Sequence, residues 1–204
     1  MHGYNIVELG EPLTKANKAM ILLHGRGSTS TEIITLADEF CDDSFYIVAP
    51  QATNKTWYPY SFLASQDMNE PWLSSSVEVV KRLINEVNQH IAIVDIYILG
   101  FSQGACLALE ATARYARPYG GIISFIGGLI GEKIDSGKYS GNFKGTRIFI
   151  GNSAKDPHVP LVRSEESKLV LERLGADVTL KVYPNKPHTI ISQEITDVRN
   201  LLFG

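Results

Sequence analysis

A hydroxyl flanked by glycines, a carboxylate some fifty residues on, and a late imidazole are the parts of a nucleophilic site. This sequence carries all three in that order. Gly100-Phe101-Ser102-Gln103-Gly104 follows the apolar run 95–101 and opens an alanine-rich helical pattern. A Gly-x-Ser-x-Gly turn between strand and helix lifts its serine above the sheet, because the turn is too tight for side chains at the flanking positions. A turn that is merely tight would use the same glycines, so the reading depends on a base. A serine hydroxyl is a poor nucleophile until an imidazole takes its proton.

Five histidines are available. His2 is terminal and expected to be mobile. His90 falls at a helix end, and His24, in Leu23-His24-Gly25, is placed to shape a loop. His158 lies two residues after Asp156. His188 follows the last strand and precedes the last helix, where the base belongs in the chain order serine, acid, histidine. Asp156 sits between Ser102 and His188, in a loop after a strand. An Asp-Pro pair is also a common turn former, but Asp135 and Asp177 are weaker alternatives, one in an irregular stretch and one at the opposite end of the sheet. Acyl transfer further needs two N–H donors for the charge that develops on the attacked oxygen. The backbone N–H of Gln103, at a helix N-terminus, is one. Arg26, in the flexible Gly25-Arg26-Gly27 turn, supplies the other.

These parts require a sheet to hold them. Apolar runs at 19–25, 45–50, 95–101, 121–128, 146–152 and 177–184 read as strands, with 5–9 a candidate antiparallel edge strand. Most are apolar throughout, as in parallel strands covered on both faces. Between them, 75–91 carries a helical stripe with Ser75 and Glu78 spaced as a capping box. The segment 161–174 ends at Gly175, a good helix stop, and a last helix spans 189–202. The alternation predicts an α/β fold: a mostly parallel sheet of about seven strands, helices on both faces, and one domain over 1–204. Two long irregular stretches, 51–72 and 130–145, follow strands and so fall at the ligand-binding end of the sheet.

Composition narrows the function. The chain has 204 residues, 44% of them apolar, and a net charge of −3, which gives no electrostatic case for nucleic acid or an acidic membrane. Cys41 and Cys106 match no metal or redox spacing, and no metal or cofactor is expected. No run is long enough to span a bilayer, and no secretory signal is visible, so the cytoplasm is the expected location.

The motifs together, "LLHGRGST" (22–29), "APQA" (49–52), "TWYPY" (56–60), "LGFSQGACLAL" (99–109), "IGNSAKDPHVP" (150–160) and "KPHTI" (186–190), resemble the phospholipase/carboxylesterase family of α/β-hydrolases. That family includes acyl-protein thioesterases and small bacterial carboxylesterases. The resemblance implies an α/β-hydrolase fold, Ser102 as nucleophile, Asp156 and His188 as its partners, and Arg26 and Gln103 as oxyanion donors. It implies a small-molecule ester as substrate and is compatible with a homodimer. Arg26 departs from the apolar residue that borders the acyl groove of acyl-protein thioesterases, which points to a smaller or more polar ester unless its side chain turns into a local ion pair. No helical insertion follows 125–131, so no cap domain is expected, and the site should be open and walled by the two long loops.

Trp57, Tyr58, Tyr60, Phe62, Met68 and Trp72 crowd the first loop. About half should pack down; Trp57 and Tyr58 are the candidates for a substrate pocket. The leading reading is a serine esterase that works through an acyl-enzyme. An acyl thioesterase or lysophospholipase would use the same triad. From a different class, a ligand sensor could keep the fold and turn over slowly.

Overall fold

The computed structural model describes residues 1–204. In chain order the elements are β1 (Ile6–Gly10), β2 (Lys18–Leu23), α1 (Ser30–Ile33), β3 (Phe45–Pro50), α2 (Gln66–Asn69), α3 (Trp72–Val87), β4 (Ile96–Phe101), α4 (Gln103–Arg114), β5 (Gly121–Phe125), β6 (Arg147–Ser153), α5 (Leu161–Arg173), β7 (Asp177–Tyr183) and α6 (Ser192–Val198). The strands form one sheet in the order β1-β3-β2-β4-β5-β6-β7. Only β1 runs antiparallel, at the edge against β3; the other neighbours are parallel.

Each central strand is apolar on both faces because both are covered. Along β2, Ala19, Ile21 and Leu23 enter the larger core under α3 and α4. Met20 and Leu22 enter the smaller one, which holds Ile33, Phe40 and Val198. Side-chain alternation thus divides one apolar run between two cores. The sheet has the topology and helical layering of an α/β-hydrolase. Between β5 and β6 the chain carries one short 3₁₀ turn, at 136–138, and no helical cap. No helix is long and apolar enough to cross a membrane.

Two local expectations change, and one helical segment goes unread in the sequence. α3 starts at Trp72, after Pro71, rather than near Ser75. There the Glu70 carboxylate accepts the Ser74 N–H at 3.1 Å, while the Ser75 hydroxyl accepts the N–H of His2 at 2.9 Å. His2 is anchored: its Nε2 donates to the Trp57 carbonyl and its Nδ1 accepts the Thr53 N–H, with the ring against Trp57 and Trp72. α1 and the 3₁₀ segment Ile34–Glu39 link β2 to β3, a stretch too short and too weakly periodic to read as a helix.

Candidate active site

Ser102 stands at the β4–α4 junction with φ +53° and ψ −117°, a sparsely populated backbone state that costs on the order of 1–3 kcal/mol. The glycines around it are there for space. A Cβ on Gly100 would lie 2.3 Å from the Gly104 carbonyl oxygen, and one on Gly104 would lie 2.1 Å from the Leu23 carbonyl oxygen. The turn therefore presses α4 directly onto β2 and β4. The Ser102 N–H is held by the Phe125 carbonyl at 2.9 Å, which leaves the hydroxyl free to face outward.

His188 Nε2 lies 2.8 Å from Ser102 Oγ, and its Nδ1 lies 2.8 Å from Asp156 Oδ2. A carboxylate only accepts, so Nδ1 carries the proton and Nε2 presents a lone pair to the serine hydroxyl. The Asp156 side chain is fully buried beside an imidazole that is 20% exposed. Burial alone would raise the Asp156 pKa. Hydrogen bonds from His188 and from the N–H groups of Val159 and His158 outweigh it and hold the carboxyl below its usual range. Asp156 thus stays charged and aimed. Asp135 instead caps the 3₁₀ turn at 136–138, and Asp177 begins β7, so neither approaches His188.

The loop that carries His188 is fixed from beneath. Lys186 and Glu194 form a 2.6 Å ion pair with side chains 1% and 0% exposed. Burial raises the Glu194 pKa, and the Lys186 ammonium opposes that shift. Glu194 also accepts the Ile191 N–H at 3.1 Å, tying the start of α6 to the same loop. Sequence reading passed over this pair, although a Lys two residues before the base and a Glu six after it were visible.

The two proposed oxyanion donors are arranged differently. Gln103 is the first residue of α4, so its N–H has no partner within the helix. The Arg26 N–H makes no hydrogen bond within the protein. His24 shapes this turn. It is buried; Nδ1 donates to the Gly25 carbonyl at 2.7 Å and Nε2 accepts the Ala52 N–H at 3.1 Å. Burial lowers its pKa, which favours this neutral, doubly bonded ring.

The side chains of the same two residues grip the first long loop. Gln103 Oε1 accepts the Trp57 N–H at 2.9 Å and its Nε2 donates to the Tyr58 carbonyl at 2.8 Å. The Arg26 guanidinium donates to the carbonyls of Tyr58, Pro59 and Tyr60 at 2.7–2.9 Å. No carboxylate pairs with it, so the local ion pair allowed for Arg26 does not form.

A pocket of about 440 Å³ opens over Ser102 and His188. Its loop wall runs from Tyr58 to Phe62, and Cys106, His158 and Val159 complete it. Of the two residues expected to line it, Tyr58 does and Trp57 does not. Trp57 is fully buried with its Nε1 on the His24 carbonyl at 2.9 Å, so it supports the loop rather than meeting a ligand. Tyr58 is also almost fully buried, and its hydroxyl has no hydrogen-bond partner. His158 touches His188 edge-on, with ring centroids 4.7 Å apart. The second long loop, expected to wall the site, contributes nothing to the pocket. It stands behind the first, joined by the Gly131 N–H to the Phe62 carbonyl at 2.8 Å. No group of three or more His, Cys, Asp or Glu side chains could hold a metal ion.

A strained serine, an imidazole and a buried carboxylate at the carboxyl edge of such a sheet define the hydrolase class of this fold. The chain belongs to the phospholipase/carboxylesterase family, whose model matches residues 4–203. A phospholipase/carboxylesterase from Dyadobacter fermentans superposes with a TM-score of 0.97 at 47% identity, over 100% of this chain and 98% of that one. Acyl-protein thioesterase 1 of Kluyveromyces lactis is 25% identical over 222 residues, 97% of this chain and 96% of the relative. The Bacillus cereus carboxylesterase, at 20% identity and a TM-score of 0.78, covers 97% of this chain and 92% of its own, and shares the fold.

Proposed function

We propose that this chain is a serine carboxylesterase that works through an acyl-enzyme on small or medium esters. The observation that carries the reading is the unbroken relay from Asp156 Oδ2 to His188 Nδ1 and from His188 Nε2 to Ser102 Oγ, each step 2.8 Å. Ser102 Oγ attacks the ester carbonyl carbon while His188 Nε2 takes its proton. The resulting oxyanion sits against the N–H groups of Arg26 and Gln103. Collapse breaks the bond to the alcohol oxygen, which leaves with the proton from His188. Water then attacks the acyl-enzyme with His188 again as base, releasing the acid and restoring Ser102. Asp156 stabilises the imidazolium and does not itself take the proton.

Kinetics on 4-nitrophenyl butyrate test the reading. Ser102→Ala and His188→Ala should each lower kcat by about 10⁴-fold or more, and Asp156→Asn by about 10⁴-fold. Retained activity in Ser102→Ala would end it. A thioesterase would use the same triad, as the name of the Kluyveromyces relative invites. A matched oxoester and thioester of one short acid separates the two: the esterase reading expects the oxoester to be turned over at a comparable or higher kcat/KM.

A further inference from the structure

We infer that the ester this site turns over carries a negative charge on its acyl part, held by the Arg26 guanidinium at the pocket wall. The inference rests on the esterase reading above and names its substrate class.

The pocket's charge is one-sided. Arg26 is its one permanent ion, and no Asp or Glu side chain lines it. The nearest carboxylate in the relay, Asp156, is spent: Oδ2 meets His188 and Oδ1 accepts the N–H groups of His158 and Val159. Arg26 makes no ion pair; its guanidinium bonds only to backbone carbonyls. Backbone carbonyls orient its guanidinium without cancelling its charge.

Those carbonyls also explain why the cation stays at the pocket. An exposed arginine normally samples many rotamers, and ordering it on binding is costly. Here that ordering is already done by the carbonyls of Tyr58, Pro59 and Tyr60. A guanidinium has five N–H donors. Three are used, which leaves Nε–H and one Nη1–H for an anionic group. The imidazole of His158 adds a further polar group to the same pocket. An uncharged alkyl chain would gain nothing from this cation, whereas a carboxylate forms a charge-assisted hydrogen bond with it.

The test uses two esters that differ in one charge: the mono-4-nitrophenyl ester of adipic acid, and the same compound with its free carboxyl capped as a methyl ester. Spontaneous hydrolysis is subtracted from both. The wild-type protein should favour the anion in kcat/KM on the order of tenfold, as a hydrogen bond to a charged group allows. That ratio should shrink in 0.5 M NaCl, since this cation is partly in solvent. It should collapse towards one in Arg26→Gln and be largely restored in Arg26→Lys, which keeps charge but not the fork.

Preference for the capped ester, or a preference that neither salt nor Arg26→Gln changes, would overturn the inference while leaving the esterase reading intact. Folded protein that hydrolyses neither ester would defeat both. If Arg26→Gln folds poorly, Arg26→Lys keeps the charge without the fork and keeps the assignment testable, while the salt series shows whether the preference is electrostatic.

Discussion

The two long loops of this protein both follow strands, yet they are built on opposite principles. The 51–72 loop is held by neutral side chains and one exposed cation bonding to its backbone: Gln103, Arg26, His2 and the Ser76 hydroxyl, which donates to the Trp57 carbonyl at 2.5 Å. Two of those anchors also contribute the proposed oxyanion donors. The 130–145 loop is held by buried charge. Glu110, fully buried on α4, pairs with Arg114 and Lys138 at 2.9 Å and accepts from the Tyr139 hydroxyl and the Ile130 N–H at 3.0 Å. Arg163 on α5 donates to the carbonyls of Leu129, Gly131 and Glu132. One loop is coupled to the chemistry and the other to the stability of the fold.

Breaking the second loop's anchor should give the largest effect. Glu110→Ala leaves two cations and two hydrogen-bond donors without their partner, a loss of about 3–5 kcal/mol in urea unfolding. The folded fraction should keep its kcat/KM within about twofold, since the change is remote from Ser102. Comparable losses of activity and stability would erase the distinction between the loops.

Gln103→Ala is the converse experiment. It frees the Trp57 N–H, removes one of three donors to the Tyr58 carbonyl, and should cost about 10–100-fold in kcat/KM through misplacement of the pocket wall. Its stability loss should be about 1–3 kcal/mol, from the buried Trp57 N–H left unpaired. A variant that unfolds without losing activity per folded molecule would place this residue with Glu110 instead.

The smallest effect sharpens the role of His24 beneath the first loop. Burial sets its folded pKa below the usual histidine value, so the unfolded chain binds more protons between the two values. Its contribution is complete above about pH 6.5 and is lost as pH falls through the folded pKa. His2, also lowered by burial, acts in the same direction. Urea midpoints should therefore fall from pH 7.5 to pH 5.5, with at most about 1.4 kcal/mol per pH unit from each histidine. Asp156, held low, adds its loss only at more acidic pH. His24→Asn should flatten the slope; an unchanged slope would assign it elsewhere.

Much of this was legible before any coordinates. Central strands buried on both faces leave long apolar runs and could be read to within a few residues; the edge strands β1 and β7, mostly exposed or half-buried, carry weaker patterns that still marked their place. The chain order of Ser102, Asp156 and His188 pointed to their meeting. What escaped depended on the path of a loop. Trp57 and Tyr58 are adjacent and equally aromatic, and only the loop's course gives pocket lining to one and not the other. The side chain of Arg26 is fixed by carbonyls 32–34 residues later, which no local pattern encodes. His2 is held by residues more than fifty positions away. Both loops follow a strand, one aromatic-rich and the other rich in Gly and Lys, and position alone did not mark one as wall and the other as buttress.

The central claim is that Ser102 is an activated nucleophile. Incubation of the folded protein with a fluorophosphonate, followed by peptide mass spectrometry, tests it directly. The account predicts one stoichiometric adduct on Ser102, absent from Ser102→Ala and strongly slowed in His188→Ala. Folded wild-type protein that takes no label, or takes it on another residue, would contradict it.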